Sequence, residues 1–477
     1  MTLRISVIGT GYLGATHAAC LAELGFDVLG VDRSAAKVDA LSRGLVPFHE
    51  PGLDELVAGH TASGRLRFTT DLAEAAAFAD VHFICVGTPQ QSQGTAADLT
   101  AVFDVAAGLA PHLRHSTVVI GKSTVPVGTA AELAATLRAR LPLGVEAEVA
   151  WNPEFLREGH AVQDTLRPDR LVFGVTSPGA ELVLREIYAA AIERGTPVHV
   201  TDLATAELAK VAANAFLATK ISFINAMAEI SDRAGADVVA LADVLGDDAR
   251  IGRRFLDAGI GFGGGCLPKD IRALAARAAE LGAPSIRALL EDVDDINLRA
   301  RDRAADLAAA MCGGDLDGRR VALLGAAFKP LSDDVRDSPA LHVAAALRRR
   351  GADVRVFDPA AANNARAVAP ELTYVAHVDA ALHDADLVVL ATDWPELVAL
   401  DPGRAGALVR SRRILDGRNK LDEEAWTAAG WAFRALGRAA APVATAPVAP
   451  APAPTPAPTP APRRPGRLRS RAAALLR

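Results

Sequence analysis

The sequence predicts an α/β chain: two doubly wound domains joined by a central helical segment, followed by a disordered C-terminal tail. Three observations carry that expectation. Short apolar runs alternate with helical stretches early in the chain, the alternation stops in the middle, and it then resumes. A length of 477 residues exceeds one ordinary core. Half the residues are hydrophobic, ample for several cores even though alanine inflates the share.

In the first domain, residues 1–198, the apolar runs are Ile5–Ile8, Val28–Val31, Val81–Val86 and Thr117–Ile120. Short buried strands separated by helices imply a parallel sheet with crossover connections. From Asp202 the pattern changes. The stretch TDLATAELAKVAANAFLATKISFINAMAEISDRAG carries apolar residues at helical spacing, with Asp202 placed to cap it. Residues 199–312 therefore read as a helical middle segment. Strand–helix alternation returns at Arg320–Gly325, Asp353–Asp358 and Asp386–Leu390, giving a second α/β domain over 313–438. Residues 439–477 begin as an uncharged Pro/Ala-rich stretch, which reads as an extended linker.

The net charge of −6 gives no reason to expect nucleic acid as a partner. Arg463–Arg477 holds six arginines and no acid, leaving −12 on the rest of the chain. Cys20, Cys85, Cys266 and Cys312 are scattered and form no CxxC pair. A zinc ribbon, any other metal site and a disulfide scaffold are not expected, and a reducing, cytoplasmic location is. The N-terminus enters a strand pattern at once, without signal-peptide organisation, and no uninterrupted apolar run reaches membrane-spanning length.

Gly9-Thr10-Gly11-Tyr12-Leu13-Gly14 directly follows the first apolar run and opens a helix, the setting of a Rossmann-like dinucleotide turn. Gly9 permits the turn, Gly11 lets a pyrophosphate approach the backbone, and Gly14 allows helix and strand to pack closely. Asp32 ends the second strand, where its carboxylate would accept from ribose hydroxyls and repel a 2′-phosphate. That favours NAD over NADP, although Arg33 beside it weakens the argument. Lys37 is placed to touch the same ribose or a phosphate.

Gly259-Ile260-Gly261-Phe262-Gly263-Gly264-Gly265-Cys266-Leu267-Pro268-Lys269-Asp270 suits neither a helix interior nor a strand. It suits a loop where backbone approaches a ligand. Cys266 in it is a candidate nucleophile, with Lys269 as a nearby charge that would favour the thiolate. The other three cysteines lie in apolar patterns and read as small core residues. Lys210 and Asn214, four residues apart, share a helix face and could together donate to an oxyanion.

These residues resemble the UDP-glucose 6-dehydrogenases, within the wider nucleotide-sugar dehydrogenases, through nearly the whole chain up to about Arg438. The matching signatures, in the family's order, are GTGYLG, VGTP (Gly87–Pro89), STVPVGT (Ser123–Thr129), NPEFLREG (Asn152–Gly159), PDR (Pro168–Arg170), ELAKVAANAFLATKISFIN, GFGGGCLPKD and AAFKPLSDDVRDSP. The resemblance implies two Rossmann-like domains and a four-electron oxidation of UDP-glucose to UDP-glucuronate by two NAD molecules in turn. Cys266 would hold the aldehyde as a thiohemiacetal and then as a thioester that water hydrolyses.

It also implies roles for other residues. Lys210 and Asn214 would serve the reacting carbon, and Asp270 would position or activate water. Glu154 would activate water for hydrolysis, with Glu158 near both cofactor and sugar. Thr88 and Thr124 would join the cofactor site, Thr124 also holding the catalytic water. Lys269 would lie near the cofactor, and Arg336 would reach it across the domain cleft. Phe155, Leu156, Arg157 and Glu158, and Phe255, Leu256, Asp257, Ala258 and Gly259, would line the substrate pocket with Gly263. Lys329 and Arg418 are candidate partners of the diphosphate or sugar. Arg250 would serve the neighbouring subunit's substrate site, the central helices forming the interface of a homodimer or larger homo-oligomer.

Two positions depart from the pattern: Gly265 where the family often has serine, and Ala226 where it has glutamate. Siblings acting on GDP-mannose or UDP-N-acetylmannosamine remain alternatives. A two-electron hydroxy-acid dehydrogenase would need no trapping cysteine, and a nucleotide-sugar-binding non-enzyme would not need Cys266, Lys210, Asn214 and Glu154 together. The arginines of the tail, with Leu468, Leu475 and Leu476, could form a short basic amphipathic helix meeting an anionic membrane surface.

Overall fold

Strands β1 (Arg4–Ile8), β2 (Asp27–Val31), β3 (Leu66–Thr69), β4 (Val81–Ile84), β5 (Thr117–Gly121), β6 (Ala147–Trp151), β7 (Leu171–Gly174) and β8 (Val198–Thr201) form the first sheet. The computed structural model describes residues 3–438; the proline-rich linker and basic segment expected at 439–477 lie outside them. The strand order is 3-2-1-4-5-6-7-8, and all pairs are parallel but one. The exception departs from the all-parallel expectation: β6 meets β7 through an antiparallel pairing of Trp151 with Gly174. The chain spends residues 152–170 there on a loop and a short helix rather than on a full crossover helix. Strand β8 carries the first sheet past residue 198 to Thr201.

The second sheet contains β9 (Arg320–Leu324), β10 (Asp353–Phe357), β11 (Thr373–Tyr374), β12 (Leu387–Leu390), β13 (Arg413–Asp416) and β14 (Ala432–Ala435), in the order 11-10-9-12-13-14 and wholly parallel. Strands such as Leu387–Leu390 are buried at every residue, because helices cover both faces. Each sheet therefore has the doubly wound 3-2-1-4-5-6 order, whose ligand crevice opens where the order reverses, outside β1/β4 and β9/β12.

The turns that open the two sheets are alike. Gly9 follows β1 at φ +94° and Gly325 follows β9 at φ +100°, a region that disfavours side chains. An aspartate follows the second strand in each, Asp32 after β2 and Asp358 after β10. Asp358 is buried, and its carboxylate accepts from the backbone N–H of Ala326, Ala327, Ala360 and Ala361 and from the Trp394 indole.

Between the sheets in sequence, a helix spans Leu203–Ala234, capped by the Asp202 carboxylate accepting from the Thr205 N–H at 2.8 Å. By length and mean hydropathy this helix could span a bilayer. Here it packs against the helices Leu267–Glu280 and Pro284–Met311 and carries buried, hydrogen-bonded Glu207 and Asn214.

Candidate active site

The first-sheet crevice fits a dinucleotide. A Cβ on Gly9 would meet the Val86 backbone at 2.8 Å, and one on Gly14 would collide with the Gly9 carbonyl oxygen, so both positions exclude side chains. Gly11 faces open space at the N-terminus of the Tyr12–Glu23 helix, where a phosphate would meet free N–H groups. Asp32 Oδ2 accepts from the Thr10 N–H at 3.0 Å, the Thr10 hydroxyl at 3.2 Å and Lys37 Nζ at 2.8 Å. Its Oδ1 takes only the Ser34 N–H, leaving a lone pair for a ribose hydroxyl. Burial works against the Asp32 carboxylate, but Lys37 and the backbone donors win, and it titrates below its ordinary value.

The side chains of Tyr12 and Leu13, in the same turn, are engaged within the protein. The Tyr12 hydroxyl donates to Glu50 and accepts from the Gly159 N–H at 2.9 Å, while Leu13 packs on the apolar core under the sheet. Glu50 is buried and also takes the N–H of Gly159 and Ala161, each at 2.7 Å. The turn is thereby tied to the NPEFLREG loop.

Cys266 stands immediately before the Leu267–Glu280 helix. The glycine loop leading to it is pinned from two sides. Asn297 brackets Phe262, accepting from its N–H at 2.7 Å and donating to its carbonyl at 3.1 Å, and buried Arg301 donates to the same carbonyl at 2.8 Å. From the second α/β unit, the Arg336 carbonyl accepts from the Gly264 N–H at 2.8 Å, and a Cβ on Gly263 would collide with the Asp337 carbonyl. A Cβ on Gly265 would overlap the Arg336 guanidinium, so the space a serine would fill here is occupied by that arginine.

Cys266 keeps solvent-accessible surface, yet the surrounding protein desolvates its sulfur. Burial, and then the Asp270 carboxylate, push its thiol above the ordinary value, against opposing pulls from Lys210 and Lys269. Lys269 pulls toward the thiolate, as expected, but burial and Asp270 outweigh it. Lys269 Nζ is already paired with Asp270 Oδ1 at 2.6 Å, so the pair presents little net charge to the sulfur. Cys20, Cys85 and Cys312 are buried.

One helical turn beyond Cys266, Asp270 is buried and its Oδ2 accepts from Asn214 Nδ2 at 2.6 Å. One amide hydrogen of Asn214 is thus committed, and the second is left for a ligand. Lys210, on the same helix face, lies with Nζ 5.6 Å from the centre of the Phe155 ring. The Arg170 guanidinium lies over that ring at 3.8 Å. Thr88 donates to the Thr124 carbonyl at 2.7 Å and accepts from Lys269 Nζ at 3.4 Å, joining the two strand-end loops to the helix after Cys266.

Glu154 Oε1 accepts from the backbone N–H of Phe155 at 2.6 Å and Leu156 at 2.7 Å, and Oε2 pairs with buried Lys122 at 3.1 Å. The NPEFLREG segment is a loop rather than a helix, so Glu154 and Glu158 do not share a helix face. Glu158 meets the second α/β unit: its carboxylate lies 3.3 Å from Arg336 and 3.4 Å from the Ser332 hydroxyl, and its carbonyl accepts from Lys329 at 2.7 Å. Burial, then Asp334, raise the Glu158 carboxyl above its ordinary value, and burial lowers Lys329.

Other candidates are held by local partners. Arg157 is clamped by Asp164 and Arg250 by Asp248, and Asp257 pairs with Arg253 and Lys420. Arg250 is 88% exposed at its side chain and bonds to none of the groups around Cys266 among the described residues. Arg418 donates to the carbonyls of Ala391, Gly261 and Phe328, so it ties the glycine loop to the second sheet. Leu256 and Ala258 are buried, half-exposed Phe255 has φ +66°, and the Gly259 N–H donates to Asn225 at 2.8 Å.

The residues that sequence reasoning missed are mostly the holders: Glu50, Lys122, Asn152, Asn225, Asn297, Arg301 and Asp337. Asn152, Asn225 and Asp337 lie inside the quoted signatures with no holding role read from them, and Lys122 left a local trace as a lysine directly after the apolar run of β5.

Comparison with known proteins agrees with this geometry. Three models of the UDP-glucose/GDP-mannose dehydrogenase family match: the NAD binding domain over 3–192, the central domain over 204–299 and the UDP binding domain over 322–423. The chain is 42% identical over 438 residues to the UDP-glucose 6-dehydrogenase TuaD of Bacillus subtilis, covering 92% of this chain and 94% of that protein. A UDP-glucose dehydrogenase structure from Pyrobaculum islandicum superposes with a TM-score of 0.85 at 37% identity, covering 92% of this chain and 98% of the other. A UDP-D-ManNAc dehydrogenase from Pyrococcus horikoshii gives 0.80 at 28% identity, with 91% and 99% covered. The chain belongs to the UDP-glucose/GDP-mannose dehydrogenase family and is an NAD-dependent nucleotide-sugar dehydrogenase.

Proposed function

We propose that the chain oxidises UDP-glucose to UDP-glucuronate in two successive steps, with Cys266 holding the carbon between them. The observation that carries this reading is the placement of Cys266 at the end of a pinned glycine loop, one turn from the Asn214–Asp270 pair. NAD, held at the Gly9–Gly14 turn and Asp32, supplies the hydride acceptor for each oxidation.

In this reading the thiol of Cys266 adds to the C6 aldehyde, giving a thiohemiacetal. Loss of a hydride from carbon and of the hydroxyl proton to solvent converts it to a thioester. Asn214 and Lys210 donate to the oxygen on that carbon. Water then attacks with Glu154 as base, the C–S bond breaks, and carboxylate and thiol are released. The identity to TuaD, higher than to the UDP-D-ManNAc enzyme, supports glucose as the sugar.

The test is NADH formed per sugar consumed, over UDP-glucose, GDP-mannose and UDP-N-acetylmannosamine. Two NADH per UDP-glucose is expected, with slower turnover of the other two. A ratio of one defeats the thioester scheme, and a preference for another sugar defeats the substrate. The Cys266→Ser variant should stop before free uronate, and full turnover in it would remove the covalent role.

The same reading takes the chain as a homodimer. Phe216, Phe223 and Ile230 recur every seven residues along one helix face and are 67%, 48% and 58% exposed. Arg250, free of the groups around Cys266, then completes the neighbour's substrate site. Light scattering on Phe223→Glu should report a monomer; an unchanged mass would place the interface elsewhere.

A further inference from the structure

A lysine is buried directly behind Glu154. Lys122 follows β5, is 4% exposed, and aims Nζ at three groups: Asn152 Oδ1 at 2.9 Å, Glu154 Oε2 at 3.1 Å and the Tyr188 hydroxyl at 3.3 Å. Tyr188 in turn donates to Asn152 Oδ1 at 2.5 Å, and Asn152 Nδ2 donates to the Val172 carbonyl at 3.1 Å. The cluster lines a cavity of about 30 Å³, together with Asp169 and Arg170. That volume takes one or two waters.

The arrangement restricts what Glu154 can do. A carboxylate offers about four lone-pair sites. Both sites on Oε1 are filled by the N–H groups of Phe155 and Leu156, and one on Oε2 is filled by Lys122. A single acceptor site remains, on Oε2, in a direction fixed by the other three. Stability alone is a poor reason for the lysine. Desolvating an ammonium costs several kcal/mol, and an apolar side chain of similar volume often does as well. Burial works against the Lys122 ammonium, and the Glu154 carboxylate together with Tyr188 and Cys85 more than offsets it, so the charged form is kept.

We propose that Lys122 is a positioning residue for thioester hydrolysis: it holds Glu154 so that the one open site on Oε2 receives the attacking water. This rests on the thioester reading above. The water's proton passes to Glu154 as its oxygen bonds to the thioester carbon. The C–S bond then breaks, the sulfur leaves with the electron pair and is reprotonated from Glu154, and the new acid loses its proton to solvent. Lys122 touches neither substrate nor sulfur in this sequence. Without it, the carboxylate is free to rotate about its own backbone contacts, and both oxidations still proceed.

The test separates the oxidations from the hydrolysis. For Lys122→Met, mixing with UDP-glucose and NAD should give a rapid burst of two NADH per site. Steady-state turnover should then be roughly 10²-fold slower, the usual worth of a general base. Intact-mass analysis of the quenched enzyme should show an acyl adduct on Cys266, with KM for both substrates little changed. Lys122→Gln, which keeps a donor and most of the volume, should behave alike and serves if the methionine variant is insoluble; Lys122→Arg, which keeps the cation, should recover much of the hydrolysis. Tyr188→Phe removes another contact of the same ammonium while leaving the Glu154 pair, and should accumulate no adduct. Wild-type hydrolysis in Lys122→Met or Lys122→Gln, a loss without adduct, or equal adduct in Tyr188→Phe would overturn the proposal. An adduct in Glu154→Gln but not in the Lys122 variants sinks only the role of Lys122. No adduct in any variant, with turnover persisting in Cys266→Ser, sinks the thioester reading instead.

Discussion

Asp270 is the acceptor on which the centre of the site is hung, and the Asp270→Asn variant tests that account by counting donors. Both carboxylate oxygens are in use: Oδ2 takes Asn214 Nδ2 and Oδ1 takes Lys269 Nζ, each at 2.6 Å. Asparagine has one acceptor oxygen and one donor nitrogen. In place it can satisfy only one partner and must point an N–H at the other. A hydrogen bond to a charged group is worth about 1.5–3 kcal/mol, and a buried donor left unmet costs about 1–3 kcal/mol. Asp270 is 2% exposed but Lys269 keeps some solvent, so a net loss of about 2–3 kcal/mol follows. The pair Asn214→Asp with Asp270→Asn exchanges donor and acceptor. The carboxylate introduced on the long helix accepts from the amide introduced beside Lys269. That amide's own oxygen faces Lys269, and every contact is met again. Denaturant unfolding of the four proteins in a double-mutant cycle should give a favourable coupling above about 1 kcal/mol. Both single variants and the exchange should lose most turnover, because the donor face of Asn214 is gone or turned away. Additive destabilisation would refute the assignment of that hydrogen bond as a structural tie.

Gly265→Ser should fold, since it is the mobile end of Arg336 that must yield, but displacing the guanidinium from Glu158 and Asp334 should raise KM several-fold; unchanged kinetics would show that the arginine's resting place is immaterial. Gly14→Ala should abolish NAD binding in calorimetry, because its Cβ collides with the Gly9 carbonyl, and retained affinity would contradict the packing described. Glu207 accepts from the N–H of Gly128 at 2.7 Å and of Ala130 at 2.6 Å, and burial pushes its carboxyl up to about 7. A raised folded value means the folded state holds the extra proton. Wild-type stability attributable to Glu207 is therefore full below the unfolded value near 4.5 and falls as pH rises through about 7. Relative to wild type, Glu207→Gln should gain melting temperature between pH 5 and pH 8; a pH-independent difference would exclude Glu207 as the titrating group.

What was legible in the sequence is what neighbouring residues encode. The turn Gly9–Gly14 could be read because helix, strand and glycine spacing sit within a few residues, and Asp32 because it closes the next strand. Lys210 and Asn214 share a face because one helix carries both. The holders escaped because their partners are remote in sequence. Glu50 meets Gly159, Asn225 meets Gly259, and Asn297 meets Phe262, contacts that only the folded topology creates. The weakness of the Lys269 pull on the Cys266 thiol has the same origin. Lys269 is adjacent to the loop, but its charge is taken up by the residue after it, and spacing does not reveal which way two neighbouring side chains turn.

The two sheets share a strand order and a turn, yet their aspartates have been put to opposite uses. Asp32 retains an unfilled lone pair facing a crevice, whereas Asp358 is saturated by four backbone N–H groups and an indole. A doubled architecture need not double its ligand. Once the protein itself plays guest to the second carboxylate, that aspartate is closed to a ribose; the first half remains the host for an adenosine ribose, while the second matches a UDP binding domain. Re-engineering the second half toward a dinucleotide would therefore have to begin by evicting the Trp394 indole and opening the loop of Ala326 and Ala327, before any residue was added to greet the ligand.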